Sequence, residues 1–314
     1  MILHMHLFAG SAHPALAKSL AAELKTTLGN AIVKRFSCGE CYVRFGESIR
    51  GKNVYLLQGA GQEPDEDLME LFLLCQAAKL SFAATLHIVL PYFPYARQDR
   101  VSEPREAISA KLMAQLLESA GADHVITLNL HSDQIQGFFS IPVDVLDARP
   151  VLAAYFQKKN LERPVVVSPD IGGAKQVKKM ADALGADIAI MHKTRSAHHK
   201  AEIVEVVGDI RGRTCILYDD MIDTAGTLLS ARSALLKRGA HKDIYVAATH
   251  AVFSGPAIER LKKAKFKEVV VTDSISPVAR FRGLTVLPIA PLLADVIRHV
   301  ERRESVTDMY KKKQ

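Results

Sequence analysis

The sequence predicts an α/β protein made of two tandem units, each with a mostly parallel sheet flanked by helices. Short β-rich runs alternate with longer helical patterns along all 314 residues. Most of the strand-like runs are apolar without interruption, which is typical of parallel strands buried on both faces. The two halves also resemble each other, since residues 51–58 (GKNVYLLQ) match residues 212–219 (GRTCILYD). We therefore expect one unit at 1–147 and another at 148–314, with the last segment packing back on the first unit.

The individual elements follow from local patterns. A first strand is expected within the opening residues MILHMHLFAGSAHP. Further apolar, β-rich runs predict strands at residues 53–58, 86–93, 124–130, 164–169, 187–193, 214–220, 243–252 and 268–274. Helical periodicity predicts helices at residues 15–29, 65–80, 107–122, 174–186 and 228–240. Several of these helical patterns end at a glycine, the usual residue just beyond a helix.

Composition excludes several classes of protein. No apolar run approaches the roughly 20 residues that a membrane span needs, and the opening residues lack the basic start of a signal peptide. Four cysteines in a chain of this size favour a reducing cytoplasm over a disulfide framework. The net charge of +7 could indicate nucleic-acid binding, but the chain has no Trp and no alternation of aromatic and basic residues. Handling of polyphosphates, together with the basic tail at residues 311–313, accounts for the charge better, so we expect neither a nucleic-acid nor a membrane partner.

The most informative segment is ILYDDMIDTAGT at residues 216–227. An apolar strand ends in the adjacent carboxylates Asp219 and Asp220, and a small, hydroxyl-rich turn then leads into a helical pattern. Carboxylates accept hydrogen bonds from vicinal sugar hydroxyls, while backbone N–H groups at a helix start bind phosphate. The segment therefore predicts a site for a phosphorylated sugar. It resembles the ribose 5-phosphate signature shared by type I phosphoribosyltransferases and phosphoribosyl diphosphate (PRPP) synthetases.

A second anion loop is predicted at residues 170–173 (DIGG), between the strand PVVVSP and a helix. Its two glycines allow the backbone to approach an anion closely, and the helix start supplies N–H groups. A plain strand-to-helix turn would have the same sequence. The phosphate interpretation gains weight because a second such loop follows in the same half.

Two polar loops follow strands in the first half. Residues 93–100 (FPYARQDR) carry arginines that can clamp phosphate and a glutamine that can contact a base, although a solvated loop fits the spacing as well. His131 follows the strand at 124–130 and could join Asp170 and water as a sparse Mg²⁺ site. A lone histidine is more often a structural hydrogen bonder, and imidazole is an unusual ligand for this hard cation.

Two further stretches allow both a structural and a functional interpretation. Residues 192–200 (HKTRSAHHK) are either an exposed hairpin or a cationic flap that closes over polyphosphate. The three histidines of this stretch do not predict zinc, because no nearby Cys or Asp completes a ligand set. Cys38 and Cys41 form a single CxxC that does not begin a helix, so we expect two incidental thiols rather than a zinc or redox site.

Taken together, the chain resembles the ribose-phosphate diphosphokinase (PRPP synthetase) family over essentially its whole length. The collinear matching segments are residues 36–51, 93–100, 108–144, 166–173, 208–227, 248–257 and 304–310. LHSDQIQGFF and ARQDR belong to the synthetases and not to the base-transferring enzymes. The resemblance implies two type I phosphoribosyltransferase-like domains, with the ATP side and oligomer contacts in the first and the ribose 5-phosphate side in the second.

The resemblance also implies a role for individual residues. ATP would contact Arg97, Gln98 and Asp99, and Phe36 and Glu40 would reach the adenine of ATP bound to a neighbouring subunit. Mg²⁺ would be bound by His131 and Asp170. The diphosphate would lie on Asp170, Ile171, Gly172 and Gly173. Ribose hydroxyls would be held by Asp219 and Asp220, and the 5-phosphate by Asp223, Thr224, Ala225, Gly226 and Thr227. Lys193 and Arg195 match the family's catalytic basic pair. Candidate allosteric residues are Ser48, Arg50, Arg105 and Ser305.

Three positions depart from the family's pattern. Cys38 stands where the family usually has an Asp that helps to recognise adenine, and Val101-Ser102 replaces a usual Lys-Asp. The flap has His192-Lys193-Thr194-Arg195 in place of the usual Asp-Lys-Arg-Arg. Both catalytic positions remain, so we expect synthesis of PRPP and AMP from ATP and ribose 5-phosphate in a cytoplasmic homo-oligomer, dimer-based and up to a hexamer. The alternatives are a base phosphoribosyltransferase and a non-catalytic regulatory homologue.

Overall fold

A computed structural model describes residues 5–61, 63–195, 202–276 and 280–307; at 193–195 and 202–204 it describes the backbone. The strands, in chain order, are β1 (Met5–Ala9), β2 (Ala31–Arg35), β3 (Cys41–Phe45), β4 (Asn53–Leu57), β5 (Thr85–Val89), β6 (His124–Leu128), β7 (Val143–Leu146), β8 (Val165–Ser168), β9 (Asp187–Arg195), β10 (Glu202–Val207), β11 (Cys215–Ile222), β12 (Tyr245–Ala251), β13 (Glu268–Thr272) and β14 (Leu284–Leu287).

The helices, in chain order, are α1 (Pro14–Leu24), α2 (Pro64–Leu80), α3 (Ser109–Ala120), α4 (Arg149–Gln157), α5 (Ala174–Leu184), α6 (Gly226–Lys237), α7 (Ala257–Ala264) and α8 (Ala290–Glu301). A short 3-10 helix lies at Asp133–Phe138. Every predicted strand and helix is present, so the predicted α/β class is confirmed.

The described chain divides into two compact units. The first comprises residues 5–147, 274–276 and 288–307, and the second comprises 148–273 and 280–287. The chain thus changes unit between Asp147 and Ala148, and the segment that carries α8 belongs to the first unit.

In the first unit, five parallel strands form a sheet in the order β1-β4-β5-β6-β7. One face is covered by α2 and α3, where Leu71, Leu74 and Leu117 pack with Leu56 and Ile88 of the sheet. The strands β2 and β3 form a separate antiparallel hairpin. Parallel strands place all their carboxyl ends at one edge, so the loops after β5 and β6 lie at the same edge of this sheet.

The second unit contains a seven-stranded sheet in the order β10-β9-β8-β11-β12-β13-β14, parallel except for β10. Alternate residues of its central strands enter two cores. Val167 and Leu217 pack towards α6 and α7, whereas Val166 and Ile216 pack towards α4 and α5. Burial on both faces explains why these strands are apolar without alternation.

The predicted end of the first helix was wrong. The first helix was expected to run to Gly29, but α1 ends at Leu24 because Lys25 adopts a left-handed conformation with φ of 53°. The chain then returns to the sheet, where the N–H of Gly29 donates to the carbonyl of Leu7 at 2.7 Å. A Cβ on Gly29 would lie 2.2 Å from the Phe8 ring, so the glycine serves close packing rather than helix termination.

Candidate active site

The loop after β8 presents backbone and carboxylate groups to solvent. Asp170 and Gly172 are exposed, and Ile171 has 57% of its surface accessible. The loop is held from within, since Asp170 Oδ1 accepts the N–H of Gly173 at 3.0 Å and the Ser168 hydroxyl donates to the carbonyl of Asp170 at 2.6 Å. A Cβ on Gly173 would lie 2.6 Å from Ser168 Oγ, so this tight turn requires glycine there. The loop ends at the first turn of α5, whose N–H groups are suited to bind an anion.

The paired carboxylates lie on the adjacent strand. Asp219 and Asp220 are half-buried near the carboxyl end of β11, which pairs with β8. The N–H of Asp220 donates to Asp219 Oδ1 at 2.9 Å. The pKa of Asp219 is raised well above the usual aspartate range by burial and then by the negative charges of Asp220 and Asp170. The two loops therefore concentrate carboxylate oxygens where sugar hydroxyls or a hard divalent cation would compensate their repulsion.

The loop at residues 223–227 joins β11 to α6. Ala225 takes a left-handed conformation with φ of 59°, and α6 begins at the next residue. The side chain of Ala225 is buried, whereas Thr224 and Thr227 are exposed. The first N–H groups of a helix have no acceptor within it. This loop thus offers N–H and hydroxyl donors at the positive end of a helix dipole, as a phosphate site requires.

The predicted flap begins as an antiparallel hairpin. The strand β9 extends two residues beyond its predicted end and pairs with β10, with Lys193 opposite Val204 and Arg195 opposite Glu202. On its other edge β9 pairs with β8, which leads to the Asp170 loop. The side chains of Lys193 and Arg195 lie outside the described part of the chain, as do the proposed flap tip at 196–201 and the histidines at 198 and 199.

In the first unit, the ARQDR segment follows β5. Phe93 and Ala96 are buried anchors, while Arg97 and Gln98 are exposed and Asp99 is half-buried. Tyr95 has a φ of 61°, and its hydroxyl donates to Asp65. The backbone of the same segment is tied to α3, because the N–H of Ala110 donates to the carbonyl of Gln98 at 3.2 Å. The arrangement fixes the backbone and leaves the side chains of Arg97 and Gln98 exposed, with the Gln98 side chain accepting a hydrogen bond from the Ser109 hydroxyl.

His131 lies at the same edge of the first sheet, after β6. Its side chain is exposed, and a 3-10 helix starts two residues later. Among the residues whose side chains are described, no cluster of three or more His, Cys, Asp or Glu is arranged to hold a metal. A Mg²⁺ site does not need such a cluster, because this ion usually keeps several waters and takes one or two protein ligands plus substrate phosphate. The exposed oxygens of Asp170 are the donor type that fits it.

The β2–β3 hairpin carries the two residues predicted to contact a neighbouring subunit's nucleotide. The N–H of Phe36 donates to the carbonyl of Glu40 at 2.9 Å, and both side chains are exposed, Phe36 to 55%. The turn depends on Gly39, whose φ is 94°. Phe36 is steadied by an edge-on contact with Tyr42, with ring centroids 5.7 Å apart. An aromatic face and a carboxylate thus share one exposed tip.

The four cysteines are free thiols. Cys38 is exposed on the hairpin turn and Cys41 is half-buried at the start of β3. Burial, and then the negative charge of Glu70, raise the pKa of Cys41, which makes its thiol a poorer nucleophile near neutral pH.

The candidate allosteric residues are exposed in the first unit. Ser48 and Arg50 precede β4, Arg105 precedes α3 with a φ of 74°, and Ser305 follows α8. The Arg50 guanidinium stacks over the Phe82 ring at 4.2 Å from its centroid. The stacking orients one cation on this surface.

Comparison with known proteins supplies the family. A model for the N-terminal domain of ribose phosphate pyrophosphokinase matches residues 5–121, and one for the phosphoribosyl synthetase-associated domain matches residues 193–311. The ribose-phosphate pyrophosphokinase of Bacillus subtilis is 46% identical over 312 residues, covering 98% of this chain and 97% of that protein. The chain belongs to the ribose-phosphate pyrophosphokinase family.

Other members of the family agree with this. The ribose-phosphate pyrophosphokinase of Bacillus caldolyticus is 47% identical over 98% of each chain. The crystal structure of phosphoribosylpyrophosphate synthetase from Mycobacterium smegmatis superposes with a TM-score of 0.90 at 45% identity, covering 96% of this chain and 99% of that one. The predicted family and the predicted pair of phosphoribosyltransferase-like folds are therefore confirmed. Enzymes of this kinase type work with a metal ion.

The structure shows one residue beside the candidate site that the sequence did not single out. Arg260, in the first half of α7, donates from Nη1 to the carbonyl of Thr224 at 3.0 Å. The two residues are 36 positions apart, and the segment GPAIER carries no local signal for a phosphate loop. In the part of the chain that the structure describes, no helix is both long enough and apolar enough to cross a bilayer.

Proposed function

We propose that this ribose-phosphate pyrophosphokinase transfers the β,γ-diphosphoryl group of ATP to the C1 hydroxyl of ribose 5-phosphate, giving PRPP and AMP for nucleotide biosynthesis. The C1 oxygen attacks the β-phosphorus, the bond between that phosphorus and the oxygen shared with the α-phosphate breaks, and the diphosphoryl group moves as a unit. The observation that carries the proposal is the pairing of two anion loops in one sheet, at Asp170–Gly173 and Asp223–Thr227, around the Asp219–Asp220 carboxylates.

The acceptor is assigned to the second unit. Asp219 and Asp220 accept hydrogen bonds from the ribose hydroxyls and fix the sugar. The N–H groups and hydroxyls of Asp223–Thr227 bind the 5-phosphate, and the loop at Asp170–Gly173 binds the diphosphate. Such fixation supplies much of the rate enhancement by holding the attacking oxygen in line with phosphorus.

The donor is assigned to the first unit. Arg97, Gln98 and Asp99 contact ATP, while Phe36 and Glu40 of the hairpin reach the adenine of ATP bound to a neighbouring subunit. This division requires a homo-oligomer, which we propose to be built from dimers. We also propose that the enzyme is cytoplasmic.

Mg²⁺ is the proposed cofactor, with Asp170 and His131 as its protein ligands. When bound, it neutralises charge on the phosphate oxygens. Lys193 and Arg195 stabilise the negative charge that develops on the transferred group and on the leaving phosphate oxygen. No protein nucleophile is required for a direct transfer.

One coupled assay tests the proposal. The purified chain is incubated with ATP, ribose 5-phosphate and Mg²⁺, and the AMP and PRPP formed are quantified. The two products should appear in equal amounts. A base phosphoribosyltransferase would consume PRPP and release no AMP, and a non-catalytic homologue would release neither product. Absence of AMP at saturating substrates would refute the proposal.

The enzyme is proposed to be activated by inorganic phosphate and inhibited by ADP. The residues proposed to bind these regulators are Ser48, Arg50, Arg105 and Ser305. The exposed Arg50 guanidinium, oriented by Phe82, supports an anion site there. The rate should rise with inorganic phosphate and fall with ADP. A flat response to both would remove this assignment.

A further inference from the structure

Arg260 lies directly against the loop proposed to bind the 5-phosphate. Its Nη1 donates to the carbonyl of Thr224 at 3.0 Å, and a Cβ built on Gly226 would lie 3.5 Å from the same nitrogen. The guanidinium therefore hydrogen bonds to the residue before Ala225 and leaves little space beside the residue after it, where the loop turns into α6.

The base of this side chain is held rigidly. On α7, Ala257 and Leu261 are buried in the core that also contains Leu228 and Ala231 of α6. Arg260 precedes Leu261 and is half-buried. Since α6 and α7 pack against each other, the guanidinium is fixed relative to the first turn of α6.

The loop itself needs such support. Ala225 has a φ of 59°, a conformation that costs a non-glycine residue on the order of 1 kcal/mol or more. Burial of Ala225 and the hydrogen bond from the N–H of Phe253 to the carbonyl of Ile222, 2.9 Å long, fix the ends of the turn. The hydrogen bond from Arg260 fixes its middle.

We infer that Arg260 is a positioning residue for the 5-phosphate of the acceptor. It orients the carbonyl of Thr224 away from the phosphate position, so that the N–H groups of the loop face that position. It also places a permanent positive charge beside a dianion, where a charge-assisted interaction is strongest. This inference rests on the proposed function of the loop and adds a residue that selects a phosphorylated over an unphosphorylated sugar.

Substitutions at position 260 separate hydrogen bonding from charge. Arg260→Ala removes both, Arg260→Gln keeps a donor without charge, and Arg260→Lys keeps the charge with a different geometry. Arg232 is the matched control, because on α6 it also donates to a backbone carbonyl, that of Lys265 at 3.2 Å, but at a different loop. Each variant is checked for folding by circular dichroism and thermal denaturation.

Steady-state kinetics measure the KM for ribose 5-phosphate and the kcat of each variant, and the two are compared. Arg260→Ala should raise this KM about tenfold to a hundredfold, as expected for loss of a charge-assisted hydrogen bond. Its kcat and its KM for ATP should stay within about threefold of the wild type. Arg260→Lys should recover most of the affinity, Arg260→Gln less, and Arg232→Ala should match the wild type.

A binding experiment keeps the inference separate from the proposed reaction. Titration calorimetry of ribose 5-phosphate, and of unphosphorylated ribose, needs no turnover. If Arg260→Ala binds ribose 5-phosphate more weakly than the wild type but binds ribose equally well, the role of Arg260 is supported, whether or not the wild type releases AMP. Absence of AMP would overturn the proposed reaction only. Equal affinities in Arg260→Ala and Arg232→Ala would overturn the inference while leaving the reaction intact. If Arg260→Ala does not fold, the Lys and Gln variants decide, and equal affinities in those two and the wild type count against it.

Discussion

Glu70 of α2 forms two hydrogen bonds with Ser11, in the loop after β1. One carboxylate oxygen accepts the backbone N–H of Ser11 at 2.6 Å, and the other accepts its hydroxyl at 2.6 Å. Gln58 adds a third hydrogen bond at 3.0 Å, and Glu70 is only 2% exposed. This loop precedes α1 as the Asp170 loop precedes α5, and here a carboxylate of the protein accepts the hydrogen bonds of the loop's donors. The contact therefore serves the stability of the first unit.

Glu70→Ala should lower the free energy of unfolding by about 1 to 3 kcal/mol, because it removes the acceptor of the Ser11 N–H and hydroxyl and one of the two acceptors of the buried Gln58 amide. Urea denaturation followed by circular dichroism measures the loss. Glu66→Ala is the matched control on the same helix, since its exposed ion pair with Arg35 should contribute less than about 1 kcal/mol. Equal losses in the two variants would contradict the role given to Glu70.

Lys193→Ala should lower kcat by at least about a hundredfold while changing the affinity for ribose 5-phosphate little. The expected reason is that the Lys193 cation acts on charge that develops only in the transition state. Steady-state kinetics and calorimetry measure the two quantities. Lys179→Ala, at an exposed position of α5, controls for loss of surface charge. Near-normal turnover would refute the assignment of the flap.

Asp219→Asn should raise stability and weaken the binding of ribose 5-phosphate. In the metal-free protein the folded state raises the pKa of Asp219, so it binds the proton more tightly than the unfolded state does. Stability is therefore lost as the pH rises from the ordinary aspartate range through the raised pKa. A residue that cannot ionise avoids this loss, and the Tm should increase by roughly 2 to 4 °C at pH 8.

The measurement is thermal denaturation in chelator at pH 4 and pH 8, and the two proteins should converge at the lower pH. Asp182→Asn, an exposed position on α5, provides the control and should leave the Tm within about 1 °C of the wild type at both pH values. A Tm for Asp219→Asn below that of the wild type at pH 8 would show that the carboxylate stabilises the fold.

His87→Gln should reduce the acid sensitivity of the protein. The ring of His87 stacks on Tyr55 with centroids 4.4 Å apart, and its Nδ1 lies 3.0 Å from Nδ1 of His124. Burial and then His124 lower the pKa of His87 to about 4, against an opposing effect of Asp123. The unfolded chain therefore takes up a proton as the pH falls below about 6.5, while the folded chain does so only near 4.

Wild-type stability should consequently fall between pH 6.5 and pH 4 by up to about 1.4 kcal/mol per pH unit from this group. Urea titrations at pH 7, 6 and 5 should show a shallower slope in His87→Gln. His241→Gln is the control, because this side chain is exposed and not packed in the core. An unchanged slope in His87→Gln would assign the sensitivity to other groups.

Cys38→Asp should lower the KM for ATP about threefold to tenfold without changing the KM for ribose 5-phosphate. The new carboxylate, on the exposed turn beside Phe36, would accept a hydrogen bond from the adenine amino group. Ser37→Asp places the same charge one residue away on the same exposed turn and should not reproduce the gain. An equal gain in both variants would indicate a general effect of charge, and no gain in either would remove Cys38 from the nucleotide site.

Local patterns were sufficient for the strands and for most of the helices. Uninterrupted apolar runs such as residues 164–169 and 214–220 became the doubly buried β8 and β11, because burial on two faces leaves no position for a polar residue. The end of α1 was missed because Gly29 is required for packing against Phe8, 21 positions earlier in the chain. The helix ends instead at Lys25, a left-handed residue whose type does not mark a helix terminus.

The sequence by itself determined the fold class, the family and the positions of the loops that carry Asp170, Asp219 and Asp223, because each of these depends on residues that are neighbours in the chain. Only the tertiary structure decided which distant side chains support the loops at the strand ends. Glu70 reaches Ser11 across 59 positions in the loop after β1, whereas Arg260 reaches Thr224 across 36 positions in the loop after β11. Both contacts join side chains on helices to loops at the ends of strands. They exist only after the helices have packed on the sheet, since it is the packing that brings each charged side chain to its partner.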